Sequence, residues 1–237
     1  MKSKTTFSII LIALFFIISV PGFTADYIAL VLKVKGKVYI VRGDNAASAV
    51  KPKRGYKLQD GDKILTDAKS YAAVRYIDDA STVRIRANST CYIRGKKEKN
   101  EILKNVYLEV GTILARVTQQ KGKFEVSTPT SVASVKGTMW ITDQKAIDGP
   151  EKGKTYHYGL ENTVEISNDG GTALLHEGET AEVLSKSSAP LIRKTLPGEV
   201  PSFEEYGADE DLFEFEFQNE DGQKKLLKMK FKKAEEK

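Results

Sequence analysis

The stretch Tyr71-Ala-Ala-Val-Arg-Tyr-Ile-Asp-Asp-Ala-Ser-Thr-Val-Arg-Ile-Arg-Ala87 holds two alternating segments on either side of an acidic pair. Successive side chains of a strand leave on opposite faces, so residues two apart share a face. A two-residue turn at Asp78-Asp79 sets Val74 opposite Val83 and Ala72 opposite Ile85, placing four aliphatic side chains together. The same register sends Arg75, Arg84 and Arg86 to the other face. The segment is therefore an amphipathic hairpin, with an aliphatic inner surface and a basic outer one.

The pattern extends in both directions. Short runs rich in Val, Ile, Thr and Tyr recur every eight to twelve residues, separated by Gly, Asp and Asn. Val38–Arg42, Ala72–Ile77, Thr82–Ala87, Val106–Val110, Ile113–Val117, Lys123–Ser127, Met139–Thr142, Thr163–Ser167 and Glu179–Leu184 read as strands. No sustained helical period with caps occurs between residues 27 and 190. The expected fold is all-β, a twisted solenoid-like or sandwiched array of many short strands.

Composition narrows the function. The 237 residues are 41% hydrophobic and 29% charged, with net charge +5, enough apolar material for a core. One Cys excludes an internal disulfide framework, and two His leave little for a metal cage. At the N-terminus Lys2 and Lys4 precede an apolar run, Phe7 to Val20, followed by Pro21, Gly22 and small residues to Ala25. This order is that of a secretory signal peptide over residues 1–25. At about 1.5 Å per residue its apolar run falls short of a roughly 30 Å hydrocarbon core. A periplasmic protein without a membrane span after leader cleavage is expected; an uncleaved leader serving as an anchor is the alternative, since Phe23 sits where the processing enzyme prefers a small residue.

Beyond the leader, residues 26–188 form the expected β domain. Residues 189–202, with Pro190, Pro197 and Pro201, read as a linker. Residues 203–237 segregate their charge: Glu199 to Asp221 holds ten acidic and no basic residues, Gly222 to Lys237 seven basic and two acidic. The tail alternates as a C-terminal β-hairpin. A loop at Asp221-Gly222-Gln223 sets Phe217 opposite Leu227, Phe215 opposite Met229 and Phe213 opposite Phe231, with Glu216 against Lys228 and Glu214 against Lys230. An isolated hairpin is marginal in water, so this apolar face is expected to dock on the domain or on a partner.

Several motifs along the chain together resemble the FecR domain, the periplasmic region of iron-dicitrate-type sensors. Leu58-Gln-Asp-Gly-Asp-Lys-Ile-Leu-Thr66 is similar to its "L-x-x-G-D-x-I-x-T" opening, and Ala73 to Ile85 to its strand–turn–strand. Val106 to Gly111, Phe124-Glu-Val-Ser-Thr-Pro129, Val135-Lys-Gly-Thr138 and Glu177-Gly-Glu179 follow in the family's order. The resemblance spans roughly residues 33 to 185 and implies an all-β domain. Signalling members resemble a three-part machine with a cytoplasmic segment that holds a sigma factor. Only six residues precede the apolar run here, so the fold is expected to carry over and the anti-sigma role is not. Asn162 stands near a position where many members have Gly.

Candidate sites are few. The motif turns Gly61, Asp62, Thr66, Thr128, Pro129, Gly137 and Thr138 are read as structural, since Gly, Asp and Pro are ordinary turn-makers. His157 and His176 fall on separate predicted strands without a ligand pattern, and no nucleophile elbow or phosphate loop occurs. Cys91 reads as a small sheet residue and Trp140 as core. No enzymatic activity, metal or cofactor is expected. Arg75, Arg84, Arg86 and Arg94 form a candidate anion-binding face, and Phe213, Phe215, Phe217, Leu227, Met229 and Phe231 a candidate docking face. The expected role is a non-enzymatic exported binding or scaffold module. Its partner would be an envelope protein or an anionic envelope polymer such as lipopolysaccharide or a glycan, and not nucleic acid. An anchored signal-transduction component is the alternative.

Overall fold

The computed structural model describes residues 26–43, 49–117, 121–135, 137–203, 212–218 and 224–230, the last two segments as backbone. Among them there is no helix. The strands are β1 (Ala29–Lys35), β2 (Val38–Val41), β3 (Lys57–Leu58), β4 (Asp62–Thr66), β5 (Tyr71–Tyr76), β6 (Thr82–Ile85), β7 (Ser89–Glu98), β8 (Glu101–Arg116) and β9 (Phe124–Ser127). They continue as β10 (Val132–Val135), β11 (Met139–Gln144), β12 (Thr155–Glu161), β13 (Val164–Asn168), β14 (Gly171–Leu175), β15 (Glu179–Val183), β16 (Leu191–Lys194), β17 (Leu212–Gln218) and β18 (Lys224–Lys230).

Sixteen of these strands join in one open sheet. Its hinge is β8. The C-terminal part of β8 pairs with β6 and β11, in the run β3-β1-β5-β6-β8-β11-β12-β15-β16. Its N-terminal part pairs with β7 and, in parallel, with β9, in the run β2-β4-β7-β8-β9-β10-β13-β14. The sequence suggested two strands separated near Gly111; the backbone instead runs through. Gly111 has φ +103°, and a Cβ there would lie 2.2 Å from Ser89 Oγ. Glycine thus bends the strand from one half-sheet to the other without breaking it.

The inward positions follow the period of two. Ile40, Ile64, Ile93, Val106, Leu108 and Val126 of one half share a single buried cluster with Val74, Val83, Ile85, Ile113, Ala115 and Val183 of the other. Trp140 is fully buried, its ring edge-on to Phe124 at 5.8 Å, and Phe124 is edge-on to Tyr76 at 5.8 Å. Such T-shaped pairs suit the aromatic quadrupole. The β5–β6 register matches the expectation, Ala72 opposite Ile85 and Val74 opposite Val83.

Two expectations need correction. Residues 189–202 are not a free linker: β16 lies between Pro190 and Pro197 and pairs with β15, because the prolines flank Leu191–Lys194 without removing a donor inside it. The chain then folds back, and Phe203 packs with Tyr71, Ala73, Leu114, Ile141 and Tyr158 in a second cluster. The tail does form a hairpin, β17 with β18, as a separate two-stranded sheet. Its register is offset by two residues from the expected one. Phe213 faces Met229, Phe215 faces Leu227 and Phe217 faces Lys225, while Glu214 faces Lys228 and Glu216 faces Leu226. A shift of two leaves every side chain on its original face, so alternation could not tell the registers apart. Phe231 and the loop Asp221-Gly222-Gln223 lie outside the described residues.

Candidate functional site

Most of the motif residues are taken up by internal bonding. Asp62, at the start of β4, is fully buried; Arg42 donates Nε to Oδ1 at 2.8 Å and Nη2 to Oδ2 at 2.7 Å, and the Gln59 amide donates at 2.8 Å. The bond to Asp62 raises the Arg42 pKa against the effect of partial burial. This fork fixes the entry to β4 against the end of β2. Thr66 Oγ1 donates to the Arg86 carbonyl at 2.5 Å and accepts from the Ser89 amide at 3.0 Å. Gly61 and Gly137 take positive φ, +80° and +108°. Thr138 bonds to the Glu161 carbonyl, and Asn162 Nδ2 donates to the Gly137 carbonyl at 3.0 Å. Asn162 itself has φ +55°, which explains why the position accepts Asn in place of Gly.

Thr128 belongs to a buried hydroxyl cluster joining the β9–β10 turn, where the half-buried Pro129 follows it, to β11 and β12. Thr128 Oγ1 lies 3.1 Å from Thr155 Oγ1, which donates to Gln144 Oε1 at 2.5 Å. Ser131 Oγ lies 2.9 Å from His157 Nε2, and Thr142 Oγ1 lies 3.1 Å from His157 Nδ1. Burial pushes the His157 pKa down to about 3. The Ser131–His157 pair has hydroxyls on both ring nitrogens and no carboxylate, and both residues are buried. The cluster therefore stitches the two half-sheets together at one end of the core. His176 lies just beyond β14, exposed, with Thr163 Oγ1 3.1 Å from its Nδ1. Cys91 is buried, and burial pushes its thiol up to about 12, which keeps it protonated and unreactive.

One buried ionic group has no counterpart in the sequence reading. Lys104 Nζ, on β8, lies 2.7 Å from Asp78 Oδ2, 2.8 Å from Asp79 Oδ2, 2.7 Å from the Lys121 carbonyl and 3.1 Å from the Ile102 carbonyl. Its side chain is fully buried, as is that of Asp79. Burial alone would raise the Asp79 pKa, but the Lys104 bond and the Ser81 and Lys121 amides outweigh it and leave it lowered. The turn of the β5–β6 hairpin is thereby locked to β8. A signal was present: Lys104 shares strand parity with Val106 and Leu108, an inward position for a charge.

The four arginines do not form one face. Arg75, Arg84 and Arg86 project from β5 and the β6 segment on the side carrying the second cluster and are half-buried, with Arg86 5.8 Å over the Phe203 ring. Arg94 lies on β7, in the other half-sheet, and is exposed. Its guanidinium sits 5.5 Å from the Tyr92 centroid and 5.1 Å from that of Tyr107, and the two rings are 5.8 Å apart. Lys63 Nζ lies 5.0 Å from the Tyr92 ring and 3.3 Å from Glu109. The side chains of 212–218 and 224–230 lie outside the described residues, so the candidate docking face is placed by backbone register alone.

Among the described residues no group of His, Cys, Asp and Glu could hold a metal ion, and no helix is long and apolar enough to cross a membrane. The chain is thus an all-β protein whose motif residues serve as struts and whose outer sheet faces carry exposed chemistry. Residues 62–151 match the family described as FecR protein, from the buried Asp62 to Glu151 beyond β11. Over those residues the match agrees with the resemblance read from the motifs. Two crystal structures of a protein from Parabacteroides distasonis, assigned provisionally as an anti-sigma factor, are similar at 19% and 20% identity with a TM-score of 0.44 each. The similarity covers 56% of this chain and 58% of that one, so the chain spans little more than half the length of the protein it resembles. No curated protein matches the chain.

Proposed function

We propose that this chain is an exported, non-enzymatic binding module that acts in FecR-type envelope signalling through contacts with an envelope protein or polymer. The observation that carries this reading is the FecR match over residues 62–151 together with the fate of its motif residues. Asp62, Thr66, Thr128 and Thr138 are each engaged in bonds that hold strands together. Function on such a frame falls to the exposed faces and to the C-terminal hairpin. The basic n-region and apolar run before residue 26 support export.

The test is the intact mass of the protein recovered from its native envelope fraction, with its solubility measured without detergent. A mass beginning at or near Asp26 in the soluble fraction is expected. A full-length mass in the membrane fraction would replace the free module with an anchored sensor. Recovery from the cytoplasm alone would refute both.

A further inference from the structure

The outer face of β4, β7, β8 and β9 carries a row of side chains fixed by sheet register. Lys63 lies opposite Tyr92, Tyr92 opposite Tyr107, and Tyr107 opposite Ser127. In the adjoining row Arg94 lies opposite Asn105, and Asn105 Nδ2 donates to Ser127 Oγ at 2.6 Å. Four strands at about 4.8 Å spacing give the row a length of roughly 14 Å.

We propose that this face binds an acidic polysaccharide, with Arg94 receiving a sugar carboxylate. The charges on the face are not equivalent. Glu109 is paired with Lys63, and Glu125 with Lys123. Arg94, by contrast, has no carboxylate partner among the described residues. Its guanidinium is held over two tyrosine rings instead, and its strand position is pinned by the buried Tyr76 hydroxyl, which donates to the Arg94 carbonyl at 3.0 Å. A guanidinium held by aromatic contacts rather than by a carboxylate keeps donors available, and its fork matches a carboxylate with two parallel bonds. The half-buried rings of Tyr92 and Tyr107 add amphipathic surface beside the guanidinium, and an aromatic face is what the C–H side of a sugar packs against. Asn105 and Ser127 beside them supply amide and hydroxyl groups for sugar hydroxyls.

A lipid surface fits less well. Among the described residues none of the large exposed apolar side chains lies on β4, β7, β8 or β9; Leu174 stands on the edge strand β14, and Leu65 and Leu103, which point outward on β4 and β8, are half-buried.

The inference rests on the reading of the chain as an envelope binding module, and its test separates the two. The full chain is titrated with oligogalacturonate, with the same oligomer methyl-esterified, and with inorganic phosphate as competitor. Binding of the free acid is expected, with little binding of the ester. Arg94→Gln should weaken it at least tenfold, as should Tyr92→Leu, while Arg84→Gln on the other half-sheet leaves it unchanged. Thermal melts of each variant establish folding; Arg94 is exposed, so Arg94→Gln should melt with the wild type. Failure to bind the acid, equal binding of the ester, or indifference to Arg94→Gln would overturn the proposal. Equal competition by phosphate would reduce the face to a general anion site and also overturn it. Should an envelope protein cross-link to this face while no oligomer binds, the glycan assignment fails and the binding-module reading stands.

Discussion

Replacing Lys104 by methionine removes the amine that joins two carboxylates inside the protein. Asp78 Oδ2 would keep the Ile102 amide at 2.9 Å, and Asp79 would keep the Ser81 amide at 2.9 Å and the Lys121 amide at 3.1 Å. Both carboxylates would lose the buried cation they share, in a site where the side chain of Asp79 is fully buried and that of Asp78 is 7% exposed. Breaking one partner of a buried pair typically costs about 3–5 kcal/mol, because the remaining charge stays desolvated. Here the surviving amide bonds argue for the lower end, about 3 kcal/mol. For a chain of this size that lowers Tm by roughly 6–12 °C. The assay is urea denaturation of wild type and Lys104→Met at pH 7. Adding Asp79→Asn to Lys104→Met should return part of the loss, since a neutral amide is cheaper to bury than an unpaired carboxylate. The Asp79 carboxyl is held below its ordinary 3.8. Its contribution is therefore complete above that value and is lost as pH falls below it, so the gap between wild type and variant should narrow in acid. A loss under about 1 kcal/mol at pH 7, or no recovery in the double variant, would refute the assignment of Lys104 as the tie between hairpin and β8.

Two further outcomes are expected. His157 is buried with its pKa pushed down to about 3, against 6.5 ordinarily, so the unfolded chain takes up a proton below pH 6.5 that the folded chain refuses. Its contribution is complete above pH 6.5 and falls by about 1.4 kcal/mol per pH unit below it. Unfolding free energies from pH 6 to 4.5 should show a slope shallower by about one proton in His157→Gln, and equal slopes would count against the buried neutral ring. Gly111→Ala places a Cβ 2.6 Å from Ser89 Cα at φ +103°; the expected loss exceeds about 1 kcal/mol, and an unchanged melting curve would show that β8 does not need its bend.

Legibility in the sequence tracked the distance over which the deciding contact acts. The β5–β6 register was readable because a tight turn leaves one pairing that puts Ala72, Val74, Val83 and Ile85 on one face. The tail hairpin was readable as a hairpin, but not in register: alternation is blind to a shift of two, and the observed pairing sets Phe217 opposite Lys225 and Glu216 opposite Leu226 where pair chemistry favoured Leu227 and Lys228. Gly111 looked like a boundary because glycine usually weakens a strand. Its use as a bend depends on Ser89, which is distant in sequence and touches it only once β7 lies against β8. The Arg94 site was half-legible. Arg94 was singled out with Arg75, Arg84 and Arg86 by residue type, while its separation from them, and the tyrosines beneath it, come from the order of strands.

The sequence by itself determined the class of structure, the inward and outward faces of its strands and the FecR-like order of its motifs, since each depends on period and nearest-neighbour turn chemistry. Tertiary structure decided that β8 belongs to both half-sheets, that the Pro-flanked segment becomes β16, and that a lysine 26 residues from Asp78 becomes its buried partner. Those outcomes turn on which strands lie side by side, and the free energy that selects a strand order comes from core burial summed over the whole sheet rather than from any local stretch.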